Sequence, residues 1–163
     1  MDPIDQAVIS QGLIASAREM GIKLIRSAYS TILREASDGS AALLDRHGNV
    51  IAQAELIPMQ LGPLGATFQA CAKVVPPEDL RPGDVYLTNL PEIGGNHLPD
   101  VKAIRPVFYD GALSAFAVCL AHWPDTGGAL PGNCPASLAA ARQFFAALPD
   151  RSAIFAAFLS PAN

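Results

Sequence analysis

The sequence predicts an α+β fold, with a long N-terminal helix followed by β-hairpins and short helices in a mixed or antiparallel sheet. Three observations carry this expectation. Residues 4–30 repeat apolar side chains at three- and four-residue steps, the period of an amphipathic helix. Residues 40–55 and 101–122 each hold two short apolar runs around a glycine-containing turn, the pattern of a β-hairpin. Between them, "LGPLGATFQACAKVV" (61–75) reads as a turn and then a helix that must stop before Pro76-Pro77.

In the first helix the apolar positions are Ile4, Ala7, Val8, Ile14, Ala17, Leu24, Ile25 and Ala28. Asp2 is placed to cap it, and Pro3 suits the first helical position because its missing N–H has no partner to lose there. In the first hairpin the strands flank "DRHGN", where Gly48 supplies the positive φ of the turn. "RPGDVYLTN" (81–89) reads as a turn and a strand. In the second hairpin Asp110-Gly111 is a favoured two-residue turn. Pro106 predicts that its strand lies at an edge or carries a bulge. A glycine- and proline-rich loop follows at 123–135. The last segment, 136–163, is alanine-rich and charge-poor, and reads as two short packing helices broken at Pro149.

A chain of 163 residues is long enough for one domain with a substantial core. Half its residues are hydrophobic, which argues against disorder. A net charge of −4 gives no electrostatic reason to expect nucleic acid or an anionic membrane as partner. No apolar run reaches the length of a membrane span, and "MDPIDQ" carries acids where a secretory signal needs cations, so a cytoplasmic location is expected. Cys71, Cys119 and Cys134 are odd in number and widely spaced, so neither a disulfide framework nor a cysteine zinc site is expected.

Chemistry concentrates in "NLPEIGGNHLPDVKAIRPVF" (89–108). A turn centred on Asp110-Gly111 makes residue numbers across the ladder sum to about 221 or 222. His122 then lies opposite Pro99 or Asp100, and His97 sits in the loop entering the same strand. Two imidazoles and a carboxylate converging at strand ends suit a divalent ion such as zinc, manganese or iron. Gly94-Gly95 and Gly127-Gly128 allow close backbone approach there. The structural alternative, ordinary loop histidines, stays open on spacing alone. His47, in the first turn, reads as a solvated turn residue. Arg26, Arg34, Glu35 and Asp38 read as helix-end charges and a surface ion pair. Gln53 and Gln60 flank "AELIPM" and could hydrogen-bond a ligand, the alternative being ordinary surface glutamines. A Cys134–His122 pair is a minor nucleophile alternative.

The blocks "DPI", "EMG", "RSAYS", "D.SAALLD..GNVIAQAE.IPMQLG", "PGDVYLTN.P..GGNHLPD" and "AHWPDTGG..PGNCP" resemble, in order, the N-terminal part of the hydantoinase B / 5-oxoprolinase family, over about four-fifths of the chain. That family includes B subunits of ATP-dependent N-methylhydantoinases and a subunit of acetone and acetophenone carboxylases. The resemblance implies opening of a cyclic amide, a hydantoin or 5-oxoproline ring, after activation by a separate ATP-binding A-type subunit. It implies a metal held by His97, Asp100 and His122, matching the "HLPD" and "AH" blocks. Asp125 would orient His122 or act as a base. ATP would enter only through the partner. A carboxylase subunit and a non-catalytic remnant that binds only a metal or a partner are the alternatives.

The chain departs from the family in having Leu90 and Glu92 where "NDPY" is usual, and Trp123 where a second histidine often follows. Its length departs most. The expectation is a truncated family domain at 1–137 and a divergent, frameshifted tail at 138–163. Such a fragment would expose apolar surface and associate, giving a homo-oligomer.

Overall fold

The computed structural model describes residues 2–54, 56–93 and 97–127. The predicted tail, the Gly94-Gly95 pair, Gly128 and Cys134 lie outside the described residues.

Helix α1 runs Pro3–Ser27. The Asp2 carboxylate accepts the Ile4 N–H at 2.9 Å, so Asp2 and Pro3 start the helix as their chemistry predicts. The helix ends three residues before the predicted 30. Ser27 donates its hydroxyl to the Leu24 carbonyl at 3.2 Å, and Ala28 turns extended. Short hydroxyl side chains compete for backbone groups in this way, and the apolar period alone does not register it. A short helix α2, Thr31–Ala36, follows and stops at Ser37 in the left-handed region, φ 54°.

The strands are β1 (Gly39–Asp45), β2 (Val50–Gln53), β3 (Tyr86–Thr88), β4 (Asp100–Tyr109) and β5 (Ala112–His122). They form one sheet in the order β2-β1-β5-β4-β3, with every neighbouring pair antiparallel. Helix α3, Leu64–Val74, ends as predicted just before Val75 and Pro76-Pro77. The fold is therefore α+β, with its hairpins where the sequence placed them.

The two long helices cover opposite faces of the sheet. Side chains alternate across a strand, so Leu43 and Ala42 face different ways. Leu13, Ile14, Ala17 and Met20 of α1 pack with Leu43, Ala52 and Ala117. On the other face, Leu64, Phe68 and Cys71 of α3 pack with Ala42, Leu44, Tyr86, Ile104, Phe116 and Val118. Cover on both sides explains why β1 is buried from Gly39 to Leu44. The first turns of α1 run past the sheet: Ile4 and Val8, which follow the apolar period, stay exposed.

Phe68 is the hub of the α3 face. Its ring meets Phe116 edge-on at 4.7 Å and Tyr86 at 6.5 Å. The first hairpin reaches it too. Gly48 has φ 88°, and a Cβ there would run into the Phe68 ring, 2.8 Å from Cε1 and 2.9 Å from Cγ. His47 beside it is exposed, as expected of a turn residue.

In the second hairpin Asp110 and Gly111 both have positive φ, 48° and 76°, the signature of a type I′ turn. Partners sum to 222 from Asp100↔His122 to Val107↔Ala115, then to 221 at Phe108↔Leu113 and Tyr109↔Ala112. Both predicted sums occur because the ladder shifts between Val107 and Phe108, one residue past Pro106. The extra residue, Ser114, lies on β5 rather than on the proline's strand. Pro106 is also tolerated because β3 pairs only with Lys102–Ile104, so that stretch of β4 has no β3 partner beside it. Among the described residues no helix is long and apolar enough to cross a membrane.

Candidate metal centre

On the α3 face, side chains of the paired strands line up in rungs. Leu44–Phe116–Pro106 and Ala42–Val118–Ile104–Tyr86 are almost wholly apolar. The next rung, Ser40–Leu120–Lys102–Thr88, is mostly polar and fully buried. The last is Asp38–His122–Asp100, where the His122 N–H donates to the Asp38 carbonyl at 3.1 Å. The core thus grades into a polar cluster at the strand ends remote from the second hairpin's turn.

The loop before β4 is tied down by its own backbone. The His97 carbonyl accepts the Asp100 N–H at 3.0 Å, and the Pro99 carbonyl accepts Val101 N–H at 3.1 Å and Trp123 N–H at 2.9 Å. Buried Asn89 donates its amide to the Leu98 carbonyl at 2.7 Å. These bonds bring His97 over Asp100.

The three predicted residues converge. His122 Nδ1 lies 3.2 Å from Asp100 Oδ1, and His97 Nδ1 lies 3.3 Å from Asp100 Oδ2. The imidazole rings sit edge-to-face at 4.9 Å. One donor atom from each residue can be chosen so that all lie within 4.8 Å of one another. Asp100 is 1% exposed, whereas the His97 side chain is 55% exposed, so the cluster is closed below and open above. Among the described residues Asp100 Oδ2 is buried without a hydrogen-bond partner. A buried carboxylate oxygen normally has a donor, and leaving it bare costs about 1–3 kcal/mol or more. Two imidazole nitrogens and a bare carboxylate oxygen aimed together are a donor set suited to a divalent ion.

Other candidates fall elsewhere. Asp125 is exposed, and its Oδ1 accepts the Gly127 N–H at 2.7 Å in a local turn, with Gly127 at φ 81°. Cys71 is buried on the sheet-facing side of α3, where burial pushes its thiol up to about 11 against the opposing pull of Lys102. It is therefore a packing thiol. Trp123 is half-exposed at the end of β5.

Sequence reasoning missed three contributors, Asp38, Ser40 and Lys102, and named Gln60 only for its hydrogen-bonding capacity. Asp38 looked like a helix-end charge. It stands instead on the His122 side opposite Asp100, with Oδ2 3.7 Å from His122 Nδ1. Gln60 Nε2 donates to Asp38 Oδ1 at 2.7 Å, and Ser40 Oγ donates toward Gln60 Oε1 at 2.8 Å. Lys102 is fully buried, and its Nζ has no hydrogen-bond partner among the described residues. Burial holds its pKa below the ordinary lysine value, with Asp100 and Cys71 opposing. The missing signal was the β1–β5 pairing, which joins segments about eighty residues apart and leaves no local trace.

Comparison with known proteins places these residues in context. The family described as Hydantoinase B/oxoprolinase matches residues 2–143. A 5-oxoprolinase of Saccharomyces cerevisiae is 40% identical over 83% of this chain, which spans 10% of that protein. The B component of a putative D-/L-hydantoinase from a Pseudomonas species is 36% identical over 82% of the chain and is spanned to 23%. The crystal structure of the ATP-dependent caprolactamase from Pseudomonas jessenii superposes with a TM-score of 0.69 at 32% identity, covering 81% of this chain and 23% of that one. The chain therefore spans between a tenth and a quarter of the length of these relatives.

Proposed function

The chain belongs to the hydantoinase B/oxoprolinase family, and from that premise we propose that it is a B-type component of an ATP-dependent hydrolase that opens a cyclic amide. Its substrate is a small lactam or hydantoin-like ring, its ATP is handled by an A-type partner, and it works in the cytoplasm. The observation that carries the proposal is the convergence of His97, Asp100 and His122 at the open end of β4 and β5 in a chain of this family.

These three residues would hold a divalent ion, zinc, manganese or iron. When bound, such an ion supplies Lewis acidity toward an amide oxygen or a water. The protein's own groups do the positioning. Asp100, buried and flanked by both histidines, fixes the two rings relative to each other. The rungs beneath exclude water from the carboxylate. His97 stands at the exposed rim, where a substrate enters. Asp125, three residues beyond His122 and exposed, is the candidate base or orienting carboxylate. The A-type partner, or a second copy of this chain, would supply a further wall above that open rim.

The test is metal uptake and turnover. Dialysis of the 163-residue chain against zinc or manganese, followed by elemental analysis, should give one bound ion. His97→Ala and His122→Ala should lose it, and parent-like binding by both would refute the site. With an A-type partner and ATP, ring opening of hydantoin, 5-oxoproline or caprolactam should depend on the same residues. Asp125→Asn should slow turnover about 100-fold with unchanged metal binding if it serves as a base.

A further inference from the structure

Helix α1 is apolar on two sides. One side meets the sheet through Leu13, Ile14, Ala17 and Met20. On the other, Ile4, Val8, Ala15 and Ile22 follow at steps of four and seven residues, which keeps them on one stripe. At about 100° per residue that stripe lies roughly 140–180° round the helix from the fully buried Ala17. Ile4 is 72% exposed, Val8 66% and Ile22 50%, and Ala15 is exposed as well. A helix with apolar residues on both sides is normally covered on both. Every residue from 2 to 12 is exposed, so the first turns of α1 stand clear of the body. A helical segment that short is marginal in water by itself.

Shape and charge both say what covers this stripe. A Cβ on Gly12 would meet nothing within 4 Å, so nothing inside the chain requires glycine there. A glycine in mid-helix costs about 1 kcal/mol against alanine. With Ala15 it makes the middle of the stripe small between larger ends, the profile that lets a second helix cross closely. The charges are unevenly placed. The start of α1 carries Asp2 and Asp5, whereas its second half carries Arg18, Lys23 and Arg26 against one acid, Glu19, which bonds Lys23 at 2.7 Å. A second copy laid antiparallel sets each acidic start beside a basic end and opposes the helix dipoles, while a parallel copy stacks like on like. With the twofold axis beside Gly12 and Leu13, Ile4 faces Ile22 of the second copy, Gln11 faces Ala15, and Asp5 comes beside Lys23. A face complementary to its own rotated copy is the mark of an isologous interface.

We propose that the outer face of α1 is a self-association surface, on which two copies of this chain pair their first helices antiparallel about an axis beside Gly12. Each sheet packs on the far side of its own α1, so the two bodies lie outside the helix pair and do not collide. The pairing is independent of the metal reading above.

The experiment is analytical ultracentrifugation of the full chain over a wide concentration range, where the parent should pass from monomer to dimer. Val8→Glu should weaken self-association by about 100-fold or more, as a charge set into the middle of an interface does. Gly12→Leu should weaken it as strongly while leaving helix content by circular dichroism equal or higher, because leucine is the better helix former and the monomer leaves it room. Tyr109→Ser, at a site 79% exposed on the second hairpin, should associate like the parent. Should Val8→Glu lose its helical signal, Val8→Ser replaces it. Orientation is read by oxidising a mixture of Ile4→Cys and Ile22→Cys chains and mapping the peptides. The antiparallel pair gives a disulfide between positions 4 and 22, whereas two copies of position 4 stand about 27 Å apart along the axis. A monomeric parent at every concentration, or parent-like dimers of both Val8→Glu and Gly12→Leu, overturns the proposal, and a disulfide between two copies of position 4 overturns the antiparallel arrangement. A parent that stays monomeric but binds an A-type partner only with Val8 intact also overturns it, and gives the face to that partner.

Discussion

Gly48→Ala should be among the costliest single-methyl additions in this protein, and the cost separates into two parts. The first is conformational. Gly48 sits at φ 88°, where an alanine Cβ crowds its own backbone, at about 1–2 kcal/mol. The second is a collision: the new methyl runs into the Phe68 ring, which Phe116 and Tyr86 already hold edge-on. Forcing such a core ring aside costs about 1–3 kcal/mol. The total is roughly 2–5 kcal/mol, a large share of the stability of an ordinary domain. Gly111→Ala is the control, since Gly111 has φ 76° but open space around it, so only the conformational part of about 1–2 kcal/mol applies. Urea unfolding followed by circular dichroism gives both values at a common slope. A double-mutant cycle with Phe68→Ala, which removes the Cγ, Cδ1 and Cε1 atoms facing the turn, should abolish the excess. Equal costs for Gly48→Ala and Gly111→Ala, or no coupling to Phe68, would refute the claim that the first hairpin is clamped to α3 through this contact.

Three further outcomes are expected. Burial works to raise the Asp45 pKa, but bonds from the Asn49 side chain, Asn49 N–H and His47 N–H outweigh it and hold the value low. The folded pKa is therefore below the unfolded one of about 3.9, so this stabilisation is complete above that value and lost as pH falls through the folded one; Asp45→Asn should flatten the acid side of a melting-temperature profile, and an unchanged acid slope would contradict it. Lys102 has a pKa lowered by burial, so the unfolded chain binds more protons between its folded value and about 10.4, and stability rises with pH in that window. In the metal-free chain Lys102→Met should remove that rise and add about 1–4 kcal/mol at pH 7, as apolar replacement of buried charge does, in urea curves at pH 7 and 9.5; a destabilised variant would show that the ammonium is needed. A Cβ on Gly39 would stand 3.0 Å from the Leu120 carbonyl and 3.2 Å from Leu24 Cδ2. Gly39→Ala should cost about 1–3 kcal/mol and speed hydrogen exchange at the His122 amide, and unchanged exchange there would show that β1 yields without disturbing the site.

Much of this fold was legible because its signals are local. Asp2-Pro3 marked a helix start, Pro76-Pro77 a helix end, and Asp110-Gly111 set a turn from which the ladder could be counted to Asp100 opposite His122. What escaped depends on contacts between distant segments. The end of α1 is a side-chain bond that competes with an apolar period still running through Ala28. Asp38 and Gln60 stand inside the block from 38 to 62 that carries the resemblance, but their place beside His122 follows only from β1 lying beside β5. Lys102 sits within "DVKAIRP", where nothing local marks a buried lysine, yet it lies fully buried in the polar rung. Burial on both faces of a sheet is a property of the whole assembly.

The polar rung also carries a kinetic meaning. The hairpin of β4 and β5 is built from adjacent sequence, so Asp100 and His122 can meet early, with only a tight turn to close. Asp38 arrives by a different route, when β1 pairs with β5 across a long intervening chain. The two pairings thus differ in the chain each must close, a two-residue turn for β4 with β5 against roughly seventy residues for β1 with β5. A chain whose sheet has zipped only partway presents His97, Asp100 and His122 without Asp38. The strand order thus leaves the Asp38 side of His122 to the contact that closes the longer stretch of chain.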